Sequence, residues 1–352
     1  MISTRFTELV GCSKAIMLAP MAGVSGGNLA AAVTRGGGFA FIVAGHAKDS
    51  DAEAFDAEVE IMKTTEKRRF GIGFIGHSSM AGGDLKRIEA ILDRHQPLAA
   101  QFFAPPILPD GSNVKLCKDK GVLVFAQVGS VEEARQALNC GVDCIIAQGR
   151  EAGGHGLRSE LGTGTLPLAT RVVDLAHEIS PQTVVLAAGG ITDGRGLAAA
   201  LSLGCDGIVL GTRLWASHEA LGDPSGTKRE ALLNSDSDDV LRTRTFDTLQ
   251  YVDNPTAWPN PYDSVGALKN KTTAEWHGKE DELEKIMQNS GDTTLSIYRE
   301  ANLAGDVTRA CVLAGEGVGN VCRLHSAEDI VRVIEEEAVA EIRRINSLIK
   351  RT

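Results

Sequence analysis

The sequence predicts an α/β protein built as a (β/α)8, or TIM, barrel, with a smaller, mainly helical cap inserted after strand eight. Three observations lead there. Short apolar runs recur eight times along the first two-thirds of the 352 residues, stretches of helical spacing separate most of them, and the rhythm stops after Arg213. Length alone leaves open one large barrel or two smaller domains. Eight successive strand–helix units favour a closed barrel over a doubly wound sheet, although periodicity by itself does not show closure.

The strands are expected at 15–19, 40–44, 70–75, 98–103, 122–127, 144–148, 184–188 and 207–210. Runs such as Thr183-Val184-Val185-Leu186-Ala187-Ala188 are apolar from Val184 on, as suits a strand covered on both faces of a parallel sheet. Between strands five and six, Val131, Ala134, Ala137 and Leu138 share one face of a helix. Gly36-Gly37-Gly38 sits just before strand two and reads as a tight helix-to-strand turn.

From about 217 to 300 the chain turns polar, carrying Asp236-Ser237-Asp238-Asp239 and a proline cluster from Pro255 to Pro261. Helical spacing returns over 273–289 and 327–349. The expected organisation is therefore a barrel over 1–216 and 301–352, with 217–300 as an inserted helical cap. An insertion after a barrel strand lies on the face where active sites form, so the cap is expected to shape the substrate pocket. A structural or dimerising appendage is the plainer alternative.

Four loops at the predicted strand ends carry the chemistry. Strand one leads into Ala19-Pro20-Met21-Ala22-Gly23, where proline suits a strand exit and methionine offers a polarisable contact to a flat ring. Strand six leads into Gln148-Gly149-Arg150-Glu151-Ala152-Gly153-Gly154-His155-Gly156. Paired glycines there let the backbone lie against a ligand, and His155 stands between glycines at the barrel mouth. A lone histidine is usually a satisfied polar group; the glycine setting at a strand end makes His155 the candidate for chemistry. Strands seven and eight lead into Gly189-Gly190-Ile191 and Gly211-Thr212-Arg213. These are the two barrel loops that frequently bind phosphate through bare N–H groups. Gly315-Glu316-Gly317-Val318-Gly319 has the spacing of a dinucleotide fingerprint but lacks the strand–turn–helix setting that reading needs. His46 and His77 fall near strand ends without a visible partner, and His218 and His277 receive no role.

Bulk properties narrow the partners. A formal net charge of −10 gives no electrostatic reason to bind nucleic acid or an anionic membrane. The seven cysteines are scattered and show no metal-site spacing, so free thiols in a reducing, cytoplasmic compartment are expected. Met1 to Lys14 does not read as a secretory signal, and no apolar window approaches the ~18 residues of a membrane span.

Together the motifs resemble the nitronate monooxygenase (2-nitropropane dioxygenase) family. The likeness runs through the Ala19–Gly23 turn, the Ala147–Gly156 segment, Ala187–Ile191 and Leu210–Arg213. It continues in the Leu241–Asp247 stretch, in Trp258-Pro259 with Pro261-Tyr262-Asp263, and in Ala314–Gly319. The resemblance implies FMN, no metal, and no nicotinamide for the nitronate reaction. It implies that Gly189, Gly190, Gly211 and Thr212 hold the phosphate, and that Pro20, Met21, Ala22, Gln127, Gln148, Gly153 and Gly154 surround the ribityl chain and ring. His155 would be the catalytic histidine. One departure stands out: the family often has an amide on strand three, where this chain has Gly73 and Phe74.

The implied reaction is oxidation of an alkyl nitronate by O2 to a carbonyl compound and nitrite, with nitroalkanes as further substrates. The alternative is an FMN-dependent enoyl-thioester reductase using NAD(P)H, a group similar in the same histidine and glycine turns. A flavin-free phosphate-binding barrel and a non-catalytic flavin module are further readings, and a homodimer is compatible with all of them.

Overall fold

Parallel strands need long return connections, and here the helices between the apolar runs supply them. The computed structural model describes residues 2–44, 52–65, 69–77, 84–251, 258–287 and 293–349. In chain order the strands are β1 (Ile16–Leu18), β2 (Phe39–Val43), β3 (Gly71–Ile75), β4 (Ala99–Phe103), β5 (Leu123–Val128), β6 (Cys144–Gln148), β7 (Gly154–Gly156), β8 (Val184–Ala188), β9 (Gly207–Leu210), β10 (Val240–Thr243) and β11 (Ser264–Leu268). Eight of them close into a parallel barrel in the order β1-β2-β3-β4-β5-β6-β8-β9, with β9 pairing back onto β1. Each expected strand falls on one of these eight. His46 lies outside the described residues.

The apolar runs face two cores at once, which is why they show little alternation. Outside the sheet, residues such as Ile72, Val124, Ile145 and Ile208 pack against the helical ring. Inside, Met17, Phe39, Phe41, Phe125, Ile146 and Leu186 fill the barrel. A short helix, Arg5–Val10, closes the far end by adding Phe6 and Val10 to that inner core. Thr4 caps the helix by accepting from the Thr7 N–H, and Arg5 pairs with Asp206 at 2.8 Å. The last helix, Ala327–Ser347, starts at the Ser326 cap and packs along the outside against Gly194–Ser202.

The insertion supplies the helices Thr227–Leu233, Thr245–Tyr251, Lys271–Trp276 and Glu280–Met287, together with β10 and β11. The expected continuous helix over 273–289 is two helices, because Gly278 at φ 80° adopts a left-handed conformation that interrupts it. Residues 288 and 289 lie outside the described set. The two strands were not foreseen: four or five residues in a polar background are too short to show a period. They form an antiparallel sheet ordered β10-β11-β7, in which β7 comes from the barrel's own loop after β6.

An ion-pair cluster anchors this sheet. Arg158 donates to Asp263 through Nε and Nη2, both at 2.7 Å, and Arg244 adds a contact at 3.3 Å. Burial would raise the Asp263 carboxyl, but the hydrogen bonds and charge of Arg158 and Arg244 outweigh it and hold the group below its ordinary value. A carboxyl depressed in the folded state stabilises the fold above its unfolded pKa of about 3.9, and that contribution disappears as pH falls through the folded value. Asp263→Asn should therefore cost about 2 kcal/mol at neutral pH in urea unfolding. The gap to the parent should narrow steadily as pH falls below about 4. A gap independent of pH would contradict the assignment.

No helix among the described residues is long and apolar enough to cross a membrane.

Candidate active site

The carboxyl ends of the barrel strands open into a cavity of about 470 Å³. Every residue that the resemblance assigned to the cofactor or to catalysis lines it. The β1 turn contributes Pro20, Met21 and Ala22; β5 and β6 contribute Gln127 and Gln148; the loop after β6 contributes Gly153, Gly154 and His155. Gly189 and Gly190 after β8, and Gly211 and Thr212 after β9, complete the wall. A cavity at this end of a barrel is where such folds place their ligands.

Two neighbouring rims bring bare backbone amides to the cavity wall. Gly189 and Gly190 adopt φ of 109° and 69°, a left-handed region that glycine enters without steric cost. Among the described residues, no protein acceptor engages the N–H groups of Gly189, Gly190 or Gly211. Thr212 Oγ1 accepts from the Gly315 N–H at 3.0 Å, which leaves the hydroxyl proton free for a ligand. Gly317 packs so closely that a Cβ on it would come within 2.5 Å of the Gly190 carbonyl oxygen. The late glycine motif is thus the clasp joining the two rims, in a short 3-10 helix, Glu316–Asn320, rather than a dinucleotide site. Its fingerprint-like spacing reflects close backbone approach.

His155 reaches the cavity because β7 is pinned as a strand. Val265 of β11 pairs opposite it, so both side chains fall on the cavity face. Gln148 Nε2 donates to the His155 carbonyl at 3.0 Å, so part of that amide holds the backbone rather than facing a ligand. The imidazole stacks on Trp258, with centroids 3.8 Å apart and planes 13° apart. His155 Nε2 lies 2.8 Å from Asp247 Oδ1. Its Nδ1 has no protein partner among the described residues, and the side chain keeps 16% of its surface exposed. Asp247 is buried, and its second oxygen has no partner among the described residues. Phe246, Asp247, Gln250, Trp258 and Val265 all line the cavity, so the insertion builds one wall of it.

The absent strand-three amide has a steric explanation. A Cβ at Gly73 would come within 2.5 Å of the Pro20 ring, so no side chain fits there. Its register partner on β4 is Gln101, which lines the same cavity and is almost fully buried. Gln101 Nε2 donates to Gln127 Oε1 at 2.8 Å, while Gln101 Oε1 is buried without a partner among the described residues. A buried, unsatisfied amide oxygen costs free energy unless a ligand or water engages it. The neighbouring strand thus places an amide beside Gly73, held by Gln127.

Sequence reasoning missed Gln101, Asp247, Trp258 and Arg242. Gln101 left a signal, as a lone amide inside the apolar run Ala99-Ala100-Gln101-Phe102-Phe103. Arg242 left none. Its guanidinium donates to four backbone carbonyls, those of Arg150, Ala152, Gly154 and Ser264, at 2.7 to 3.3 Å. Burial lowers it to about 10, so it remains charged at neutral pH. His77 is buried beside Trp258, with ring centroids 5.8 Å apart, outside the cavity lining. His277 bonds Thr243 within the insertion.

A closed barrel that gathers bare backbone amides and an accessible imidazole nitrogen at its carboxyl rim belongs among the barrel enzymes. Comparison with known proteins narrows that class. The nitronate monooxygenase family model matches residues 48–337, and the chain belongs to this family of oxidoreductases. It is 32% identical to a nitronate monooxygenase of Neurospora crassa, over 94% of this chain and 91% of that protein. The nitroalkane oxidase of Streptomyces ansochromogenes superposes with a TM-score of 0.77 at 25% identity, covering 97% of this chain and all of the other. FabK from Thermotoga maritima shares the fold, with a TM-score of 0.76 at 24% identity, covering 99% of this chain and 100% of that one.

Proposed function

We propose that the chain binds FMN in the rim cavity and oxidises alkyl nitronates, and through them nitroalkanes, with O2 to a carbonyl compound and nitrite. The observation that carries this reading is the joining of the bare backbone amides and His155 in one cavity. The residues fit the cofactor. Gly189, Gly190, Gly211 and Thr212 would hold its phosphate. Pro20, Met21, Ala22, Gln148, Gly153 and Gly154 would border the ribityl chain and ring. The Gln101–Gln127 pair would offer a buried oxygen and an amide N–H group to the ring's polar edge.

When bound, the flavin supplies the redox chemistry, taking electrons from the substrate and passing them to O2. With Nδ1 protonated, His155 donates a hydrogen bond to the anionic nitro oxygens of a nitronate; with Nδ1 bare, the neutral ring takes up the α-proton of a nitroalkane. Trp258 shields one face of the imidazole, and Phe246 and Val265 give the wall around it apolar surface.

The test is an absorbance spectrum of the purified protein before and after anaerobic addition of a nitronate. Bleaching of a bound flavin band by the nitronate is expected. Rapid bleaching by NADH or NADPH instead would make the protein an enoyl-thioester-type reductase. Colourless protein that takes up no FMN on reconstitution would overturn the cofactor assignment.

A further inference from the structure

We infer that Asp247 is the positioning residue that sets the tautomer of His155 and so equips the site to deprotonate neutral nitroalkanes. Asp247 is delivered from the insertion by the helix Thr245–Tyr251, 92 residues away in sequence. Its carboxylate is buried and can only accept, so at 2.8 Å the hydrogen between it and the neutral imidazole belongs to Nε2. The other nitrogen, Nδ1, then carries a lone pair into the cavity. Stacking on Trp258 and the backbone bond from Gln148 fix the ring plane and its attachment, leaving the Asp247 contact to select which nitrogen is the base. The second oxygen of Asp247 has no partner among the described residues, so no other group there competes with His155 for the carboxylate.

The step this enables is a proton transfer. The α-carbon–hydrogen bond of the nitroalkane breaks, its proton forms the new bond at Nδ1, and the released electron pair delocalises into the nitro group to give the nitronate. The ring then carries hydrogens on both nitrogens and one positive charge, held between the Asp247 carboxylate and the nitronate. A nitronate supplied ready-made does not need this step, so the two substrates separate the role of Asp247 from general upkeep of the site. The inference rests on the nitronate and nitroalkane reading above.

The experiment uses the holoenzyme carrying isotope-labelled histidine, at a pH where the ring is neutral. Two-bond proton–nitrogen spectra, with His155 assigned by its loss in His155→Gln, should show hydrogen on Nε2 in the parent and a mixed or reversed tautomer in Asp247→Asn. In the same variant, turnover of a neutral nitroalkane should fall by at least about 10²-fold, while that of its preformed nitronate falls by less than about tenfold. Hydrogen on Nδ1 in the parent would overturn the inference, and so would equal losses on both substrates. A parent that oxidises neither substrate would sink the functional reading, while its tautomer would still test Asp247 separately.

Discussion

Replacing His155 by alanine should leave flavin binding intact while slowing turnover of a preformed nitronate by about 10²-fold, and that of a neutral nitroalkane by up to about 10⁴-fold. The reasoning begins from what the imidazole touches. Its contacts are Trp258, Asp247 and, through the backbone, Gln148, and none belongs to the glycine cradle that would hold the phosphate. Deleting the ring therefore removes a hydrogen-bond donor to the nitro oxygens and a base for the α-proton, without disturbing Gly189, Gly190 or Thr212. Steady-state kinetics with both substrates, alongside flavin titration, checks it. Unchanged turnover would remove His155 from catalysis, and loss of flavin would mean that its role is in the binding wall.

The second large effect concerns Arg242, which does not line the cavity. Its four donor contacts tie three carbonyls of the loop after β6 to Ser264 at the head of β11. A methionine there would keep much of the volume and strand four acceptors that now face a charged group. The expected cost is about 3–5 kcal/mol, less where water can reach the carbonyls. Lysine should recover only part of it, because a single ammonium cannot span the arc that a planar guanidinium covers. Hydrogen exchange locates the damage. Amides of β7 and β11 should lose protection in Arg242→Met while those of the barrel strands keep theirs. Uniform loss would make Arg242 a general stability residue, and no loss would show that the clamp is unimportant.

These effects lie at different distances from what the sequence displays. The barrel strands were legible because burial on both faces writes a continuous apolar run, and the glycine turns because only glycine suits the backbone beside a ligand. His155, Gly190 and Thr212 could be assigned to one cleft because barrel closure brings successive strand ends together. The division of 217–300 into helices and two strands was less legible. β10 and β11 are short, and each is stabilised by pairing rather than by its own pattern.

By itself, then, the sequence determined the strand–helix rhythm, the bare amides after β8 and β9, and the placing of one histidine between glycines. The tertiary structure alone decided that Asp247 faces His155, that Gln101 lies beside Gly73, and that Arg242 clamps the loop. The physical reason is range. Periodicity and turn chemistry are local properties, whereas a side chain's partner across 92 residues depends on strand register and on how the inserted sheet seats over the barrel mouth.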